Sequence, residues 1–154
     1  MNVIYEKNAF NIVKKVTWDD VIEKISHEYD NNTSITVLLS STSISPTASK
    51  KSPTIACHNS YLPGTLLDAY KEVDENKKVR DVHMYISFSK NADAYQAHHD
   101  EVDLLIVQAI GKTSYLVDDG KEYTLSPGDS IFIPKGVYHT PIILGPRVTL
   151  SFGI

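Results

Sequence analysis

The stretch Gly128-Asp129-Ser130-Ile131-Phe132-Ile133-Pro134-Lys135-Gly136-Val137-Tyr138-His139 decides the expected fold. A glycine turn opens it, the β-rich run Ser130–Ile133 follows, and Lys135-Gly136 turns the chain again to deliver one histidine. The pattern continues outward on both sides. Downstream lie a short apolar run at Ile142–Leu144, a Gly145-Pro146 turn and a last run at Arg147–Phe152. Upstream, Glu122–Leu125 and Ser114–Val117 flank Asp118-Asp119-Gly120, a hairpin turn signal. Before them, Gly111 breaks the run Leu104–Ile110, apolar except for Gln108, a core strand. Val82, Met84, Ile86 and Phe88 alternate with polar residues, as in a half-buried strand. Short strands at close spacing with Gly/Pro turns indicate an all-β barrel or sandwich.

Residues 1–80 have a different character. Val3–Tyr5 is a short β entry. Thr17 with Asp20 marks a helix start, because a hydroxyl can accept from free backbone N–H groups. Trp18, Val21, Ile22, Ile25 and Tyr29 then follow at helical spacing, and Asp30-Asn31-Asn32 ends the helix. Ile35–Leu39 is β-rich, and Ser40–Ser52 reads as a long Ser/Thr-rich loop. Thr65–Val73 is a second short helix, and Asp74–Lys78 a solvated charge cluster. The expectation is one domain over residues 1–154, with 1–80 packing on a barrel core formed by 81–154.

Composition bounds the function. Apolar residues make up 42% and charged residues 22% of 154, an ordinary globular balance. The net charge of −4 argues against a nucleic-acid backbone as a constitutive partner. The lone Cys57 permits no disulfide within the chain and fits a reducing compartment, with a buried structural role expected for it. No apolar run suits a membrane span, and the N-terminus lacks the pattern of a signal peptide, so a cytoplasmic location is expected.

The chemistry concentrates on His98-His99-Asp100 and His139. On a strand, alternate side chains share a face, so His98 and Asp100 are expected to point together into the barrel and His99 outward. Two imidazoles and one carboxylate on one side of a metal leave positions open, which favours non-haem Fe(II). His98, Asp100 and His139 are therefore the expected metal ligands and catalytic centre.

These residues carry a family resemblance. Gly128–His139 resembles the second cupin motif, and His98–Gly111 has the spacing of the first. Asp100 stands where many cupins have a second histidine, and Leu104 where many have a glutamate ligand. That pattern resembles the JmjC-like and ribosomal-oxygenase-like branch of cupins, as does the ending Leu150-Ser-Phe-Gly-Ile154. The resemblance covers roughly residues 80–154. It implies a mainly β double-stranded β-helix (cupin or jelly-roll barrel) with one or two peripheral helices. It also implies an Fe(II)- and 2-oxoglutarate-dependent dioxygenase of the hydroxylase type.

One position departs from the branch. Thr113 stands where the branch usually places the Lys or Arg that pairs with the distal carboxylate of 2-oxoglutarate. Arg147 followed by Thr149 resembles the Arg-x-Ser/Thr arrangement of prolyl-hydroxylase-like and AlkB-like oxygenases, and a guanidinium suits a bidentate carboxylate contact. The anchor is thus expected to have moved to Arg147, with Thr149, Thr113, Tyr85 and Tyr115 as co-substrate contacts. The competing expectation for Arg147 is a surface salt bridge, and for Thr113, Tyr85 and Tyr115 simple packing.

Asp103 reads as a strand-edge acid or as an acceptor orienting a ligand histidine, and Gln108 as a satisfied core amide or a pocket contact. His27, His58 and His83 have no recognisable spacing and read as incidental; Phe10, Trp18 and the helix stripe read as core or dimer-face residues. Ser40–Ser52 and Lys90–Ala94 are expected lids. The expected substrate is a small molecule or a protein side chain, and a homodimer is one expected assembly. Two alternatives stay open: a 2-oxoglutarate-independent metal cupin (dioxygenase or isomerase), and a non-catalytic ligand-binding cupin.

Overall fold

The computed structural model describes residues 2–31, 35–38, 51–58 and 61–154. Strands β1 (Ile4–Glu6), β2 (Ile35–Leu38), β3 (Thr54–Cys57), β4 (Asp81–Ser87), β5 (Leu104–Ile110), β8 (Ser130–Ile133) and β10 (Arg147–Gly153) form one sheet. Its order is β1-β8-β5-β10-β4-β3-β2. Strands β6 (Thr113–Val117), β7 (Glu122–Leu125) and β9 (His139–Ile143) form a second, ordered β7-β6-β9. Every pairing between these strands is antiparallel. This is the mainly β cupin or jelly-roll architecture, with helices α1 (Trp18–Asp30) and α2 (Thr65–Lys77) on the outer face of the larger sheet.

Two apolar cores hold the layers. Val82, Met84, Ile86, Leu105, Val107, Val148, Leu150 and Phe152 face the helices, where Val21, Leu66, Ala69 and Val73 pack on them. Ile106, Tyr115, Val117, Leu125, Ile131 and Ile133 form a second cluster between the sheets. β5 contributes to both, which explains why its run is apolar except for Gln108: it is buried on two faces.

The strand faces revise one expectation. On β4 and β10 the apolar residues turn outward, to the helices. The polar alternates Tyr85 and Ser87, and Arg147, Thr149 and Ser151, are partly or fully buried on the barrel side rather than solvated. Antiparallel register sets them side by side: Arg147 opposite Ser87, Thr149 opposite Tyr85, Ser151 opposite His83.

Other differences are local. β3 is an additional strand, paired with β4 in register Ala56↔Tyr85. α2 runs to Lys77, beyond Val73, because its buried face is complete by Val73 while the charged last turn stays solvated; Lys78 ends it with φ 53°. A 3-10 turn occupies Ile12–Lys15. β9 starts at His139, three residues before the expected strand. On α1 the stripe is narrower than its spacing implied: Ile22 and Tyr29 are exposed, while Lys24 and Glu28 are buried as an ion pair at 3.0 Å. Residues 40–50 of the expected Ser40–Ser52 lid lie outside the described residues. No described helix is long and apolar enough to cross a membrane.

Candidate metal centre and its pocket

Two motifs meet at four backbone and side-chain ties. His98 N–H donates to the His139 carbonyl (3.2 Å), and His139 N–H returns to the His98 carbonyl (2.8 Å). Gly136 N–H donates to the Asp100 carbonyl (3.0 Å), and Lys135 N–H to Asp103 Oδ1 (2.8 Å). Gly136 sits at φ 80°, the left-handed region that a glycine enters without the Cβ penalty, which is why the turn needs it there. Asp103 therefore braces the turn and orients no ligand histidine.

His98–Asp100 is not a continuous strand. It is an irregular segment with a single bridge from His98 to His139. The expected convergence arises all the same. Among the described residues, His98, Asp100 and His139 are the one set whose donor atoms could hold a metal, all within 4.8 Å of one another. Asp100 Oδ2 lies 3.5 Å from His139 Nε2 and 3.9 Å from His98 Nε2.

The donor set fits a metal on three grounds. Asp100 Oδ2 is buried without a hydrogen-bond partner, a costly state unless a cation satisfies it. His98 Nδ1 bonds the Gln96 carbonyl (2.7 Å) and His139 Nδ1 the Val137 carbonyl (3.2 Å). A carbonyl only accepts, so each ring carries its proton on Nδ1 and presents the Nε2 lone pair. Burial pulls the pKa of His139 down, which keeps it in the neutral, ligating form. Leu104 lines the same pocket and offers no fourth ligand. His99 lies outside the set, against Tyr138 and 3.7 Å from Glu101.

A single pocket contains the three donors together with Tyr85, Tyr115 and Arg147. Arg147 is 2% exposed, which removes the surface salt bridge as its role. Its Nε donates to Ser87 Oγ (3.1 Å) and its Nη1 to Thr149 Oγ1 (2.9 Å). Thr149 Oγ1 passes its own proton to Gln108 Oε1 (2.9 Å), and Gln108 Nε2 donates to the Ile110 carbonyl (2.8 Å). Gln108 is thus a satisfied core amide. Among the described residues no carboxylate lies within ion-pair distance of Arg147. Burial pulls the Arg147 pKa down, and the Tyr115 and Tyr85 hydroxyls oppose that. A guanidinium stays charged in proteins, so this is a buried, uncompensated cation.

Tyr85 has its pKa pushed up by burial, so its hydroxyl is a neutral donor in the pocket wall. Thr113 and Thr149 do not line the pocket: they lie behind Arg147, with their hydroxyl oxygens 3.4 Å apart. His83, read as incidental, does line it, with Asp81 and Ser151 at the same end of β4 and β10 and Tyr95 beside His98. The signal for these was the polar alternation on β4 and β10, which marks an interior polar face once both strands are known to turn their apolar sides to the helices. His58 packs edge-on to His83 at 4.7 Å. Cys57 is buried, and burial pushes its thiol up to about 11.

Residues 85–152 match the family model of the cupin domain. No curated protein matches the sequence. The fold is shared with the ribosomal oxygenase YcfD from Escherichia coli, at 17% identity and a TM-score of 0.73, covering 99% of this chain and 47% of that one. The structure of the same protein in complex with cobalt and 2-oxoglutarate aligns at 15% identity and a TM-score of 0.72, again over 99% and 47%. The chain spans about half the length of these structures.

Proposed function

We propose that this cupin is a non-haem Fe(II)- and 2-oxoglutarate-dependent oxygenase of the hydroxylase type, with His98, Asp100 and His139 as the metal ligands. The observation that carries the reading is Arg147: a buried guanidinium without a counter-charge among the described residues, in the pocket that also holds the three donors. A buried charge of this kind is retained where a ligand supplies its partner. A dicarboxylate with one end at the metal and the other at Arg147 meets both needs. The cobalt and 2-oxoglutarate complex of the E. coli neighbour supports the choice of ligand class.

Each residue then has a task. His98 and His139 present Nε2 because carbonyls hold their Nδ1 protons, and Asp100 Oδ2 completes the triad. When bound, Fe(II) and 2-oxoglutarate supply the oxidising chemistry, activating dioxygen as the keto acid is converted to succinate and carbon dioxide. Arg147 binds the distal carboxylate, with Tyr85 and Tyr115 beside it in the wall. Thr149 orients Arg147 from behind rather than touching the co-substrate, and Thr113 backs Thr149. Val102, Leu104 and Ile106 give the pocket an apolar wall that limits water. The substrate is a small molecule or a protein side chain, and His83, Asp81 and Ser151 line the same pocket.

A second reading, a 2-oxoglutarate-independent metal cupin, draws support from Thr113, which leaves β6 without the cation usual there. Incubation of the Fe(II)-loaded protein with 2-oxoglutarate and oxygen tests the choice. Succinate formed in step with oxygen consumption, and lost in Asp100→Asn, is the expected result. Bound metal with no succinate and no 2-oxoglutarate affinity would leave the second reading.

A further inference from the structure

The hydrogen bonds that leave Arg147 do not end at its first neighbours. Ser87 Oγ, which accepts from Arg147 Nε, lies 2.7 Å from Thr54 Oγ1, and Thr54 Oγ1 in turn bonds the carbonyl of Asp93. Elementary chemistry fixes the direction of every proton in this chain. A guanidinium only donates and a carbonyl only accepts. Ser87 must therefore receive from Arg147 and give to Thr54, and Thr54 must give to Asp93.

All the side chains involved are buried: Arg147 is 2% exposed, Ser87 and Thr54 0%. The chain crosses three adjacent strands, β10, β4 and β3, at one level, since both Arg147 and Thr54 stand opposite Ser87 in register. It ends on the segment that leads to Tyr95 and His98, which is itself tied to Ser52 by Asp93 N–H to the Ser52 carbonyl (2.9 Å).

We infer that Ser87 and Thr54 are positioning residues for an anion bound at Arg147, holding the guanidinium plane through Nε so that it faces the pocket. The same chain makes Thr54 a tie between the anion site and the segment that carries Tyr95 and His98. Neither residue lines the pocket, so neither touches the ligand. The inference rests on Arg147 being the carboxylate anchor.

The geometry gives the expected effect. Without the Ser87 hydroxyl, Nε–H is buried unpaired and the guanidinium swings toward whatever acceptor remains. Losing one hydrogen bond to a charged group corresponds to roughly tenfold or more in affinity. The test is calorimetric, on the Mn(II)-loaded full chain, with Ser87→Ala, Thr54→Val and Thr54→Ser. Two ligands are compared: 2-oxoglutarate, and 2-oxobutyrate, which keeps the keto acid and lacks the distal carboxylate.

Ser87→Ala and Thr54→Val are expected to weaken 2-oxoglutarate about tenfold while leaving Mn(II) and 2-oxobutyrate affinities within about twofold, and Thr54→Ser to restore the wild-type value. A merely structural role would weaken all three ligands together. Either variant suffices should the other fail to fold. Wild-type 2-oxoglutarate binding with both variants unchanged, or equal losses for the two keto acids, overturns the inference alone. A wild-type chain that binds 2-oxobutyrate and 2-oxoglutarate equally removes Arg147 as the anchor, and the inference with it.

Discussion

Replacing Arg147 by methionine should leave the ligand-free protein close to wild type in stability and remove most of its affinity for 2-oxoglutarate, two effects that separate at one side chain. The guanidinium is 2% exposed, has no acidic partner among the described residues, and donates to Ser87 Oγ and Thr149 Oγ1. Losing two hydrogen bonds from a charged group costs about 1.5–3 kcal/mol each. Relieving the burial of an uncompensated charge returns several kcal/mol. The two terms nearly offset, so the ligand-free variant is expected to stay within about 2 kcal/mol of wild type, or within about 8 °C in Tm for a chain of this size. Binding moves the other way. Removing one partner of a buried charge pair costs about 2–5 kcal/mol, roughly 30- to 5000-fold in Kd. At a ligand concentration of about one hundred times its Kd, wild type gains about 2.7 kcal/mol from 2-oxoglutarate. That is a Tm rise of roughly 5–11 °C. Arg147→Met should keep no more than about 0.9 kcal/mol of it at the same concentration, a rise of at most roughly 2–3 °C. Thermal denaturation with Mn(II), with and without 2-oxoglutarate, reads both numbers in one experiment. A variant that keeps the full ligand-induced shift refutes the role of Arg147; one that is strongly destabilised without ligand refutes the claim that its charge is uncompensated.

Three further outcomes follow from the fold. Asp129 is 3% exposed; burial raises its pKa, but N–H groups of Asn8 and Ser126 and the Tyr5 hydroxyl outweigh that and hold it below the usual carboxylate range. A depressed carboxyl contributes stability above its unfolded pKa and loses it as pH falls through the folded one. Asp129→Asn should thus cost about 1–3 kcal/mol near pH 7, with the difference from wild type shrinking below about pH 4 in urea melts. Gly111 has φ 70°, and a Cβ there would lie 2.0 Å from the Pro146 carbonyl oxygen. Gly111→Ala should cost more than about 2 kcal/mol, read from the same melts, because both the strand-leaving turn and the neighbouring backbone must shift. Cys57, buried and with its thiol pushed up to about 11, should resist thiol reagents at pH 7 in the native protein and react at once on denaturation.

The candidate metal donors were legible because the signals that place them are local. Gly136 enforces a turn, and His-x-Asp brings two donors onto one side over a short span; no long-range packing had to be known. That convergence survives even though His98–Asp100 is an irregular segment and not the strand assumed. Arg147 was singled out from its residue type and its neighbour Thr149, but its burial and its lack of an acidic partner among the described residues belong to the tertiary structure. His83, Asp81 and Ser151 were missed for a physical reason. Period-two alternation separates two faces of a strand without saying which one meets water. On β4 and β10 the helices claim the apolar face, so the polar face turns into the barrel. The same blindness explains α1, where Lys24 and Glu28 took buried positions that spacing alone gave to Ile22 and Tyr29. β3 was not seen because its pairing to β4 and β2, rather than any local signal, makes Thr54–Cys57 a strand.

A crystal structure of the protein with Mn(II) and 2-oxoglutarate, grown without oxygen chemistry in play, tests the central claim most directly. The account predicts one metal ion on His98 Nε2, His139 Nε2 and Asp100 Oδ2, with the distal carboxylate of 2-oxoglutarate on Arg147. A metal held elsewhere, or a 2-oxoglutarate whose distal carboxylate leaves Arg147 unpaired, would contradict it.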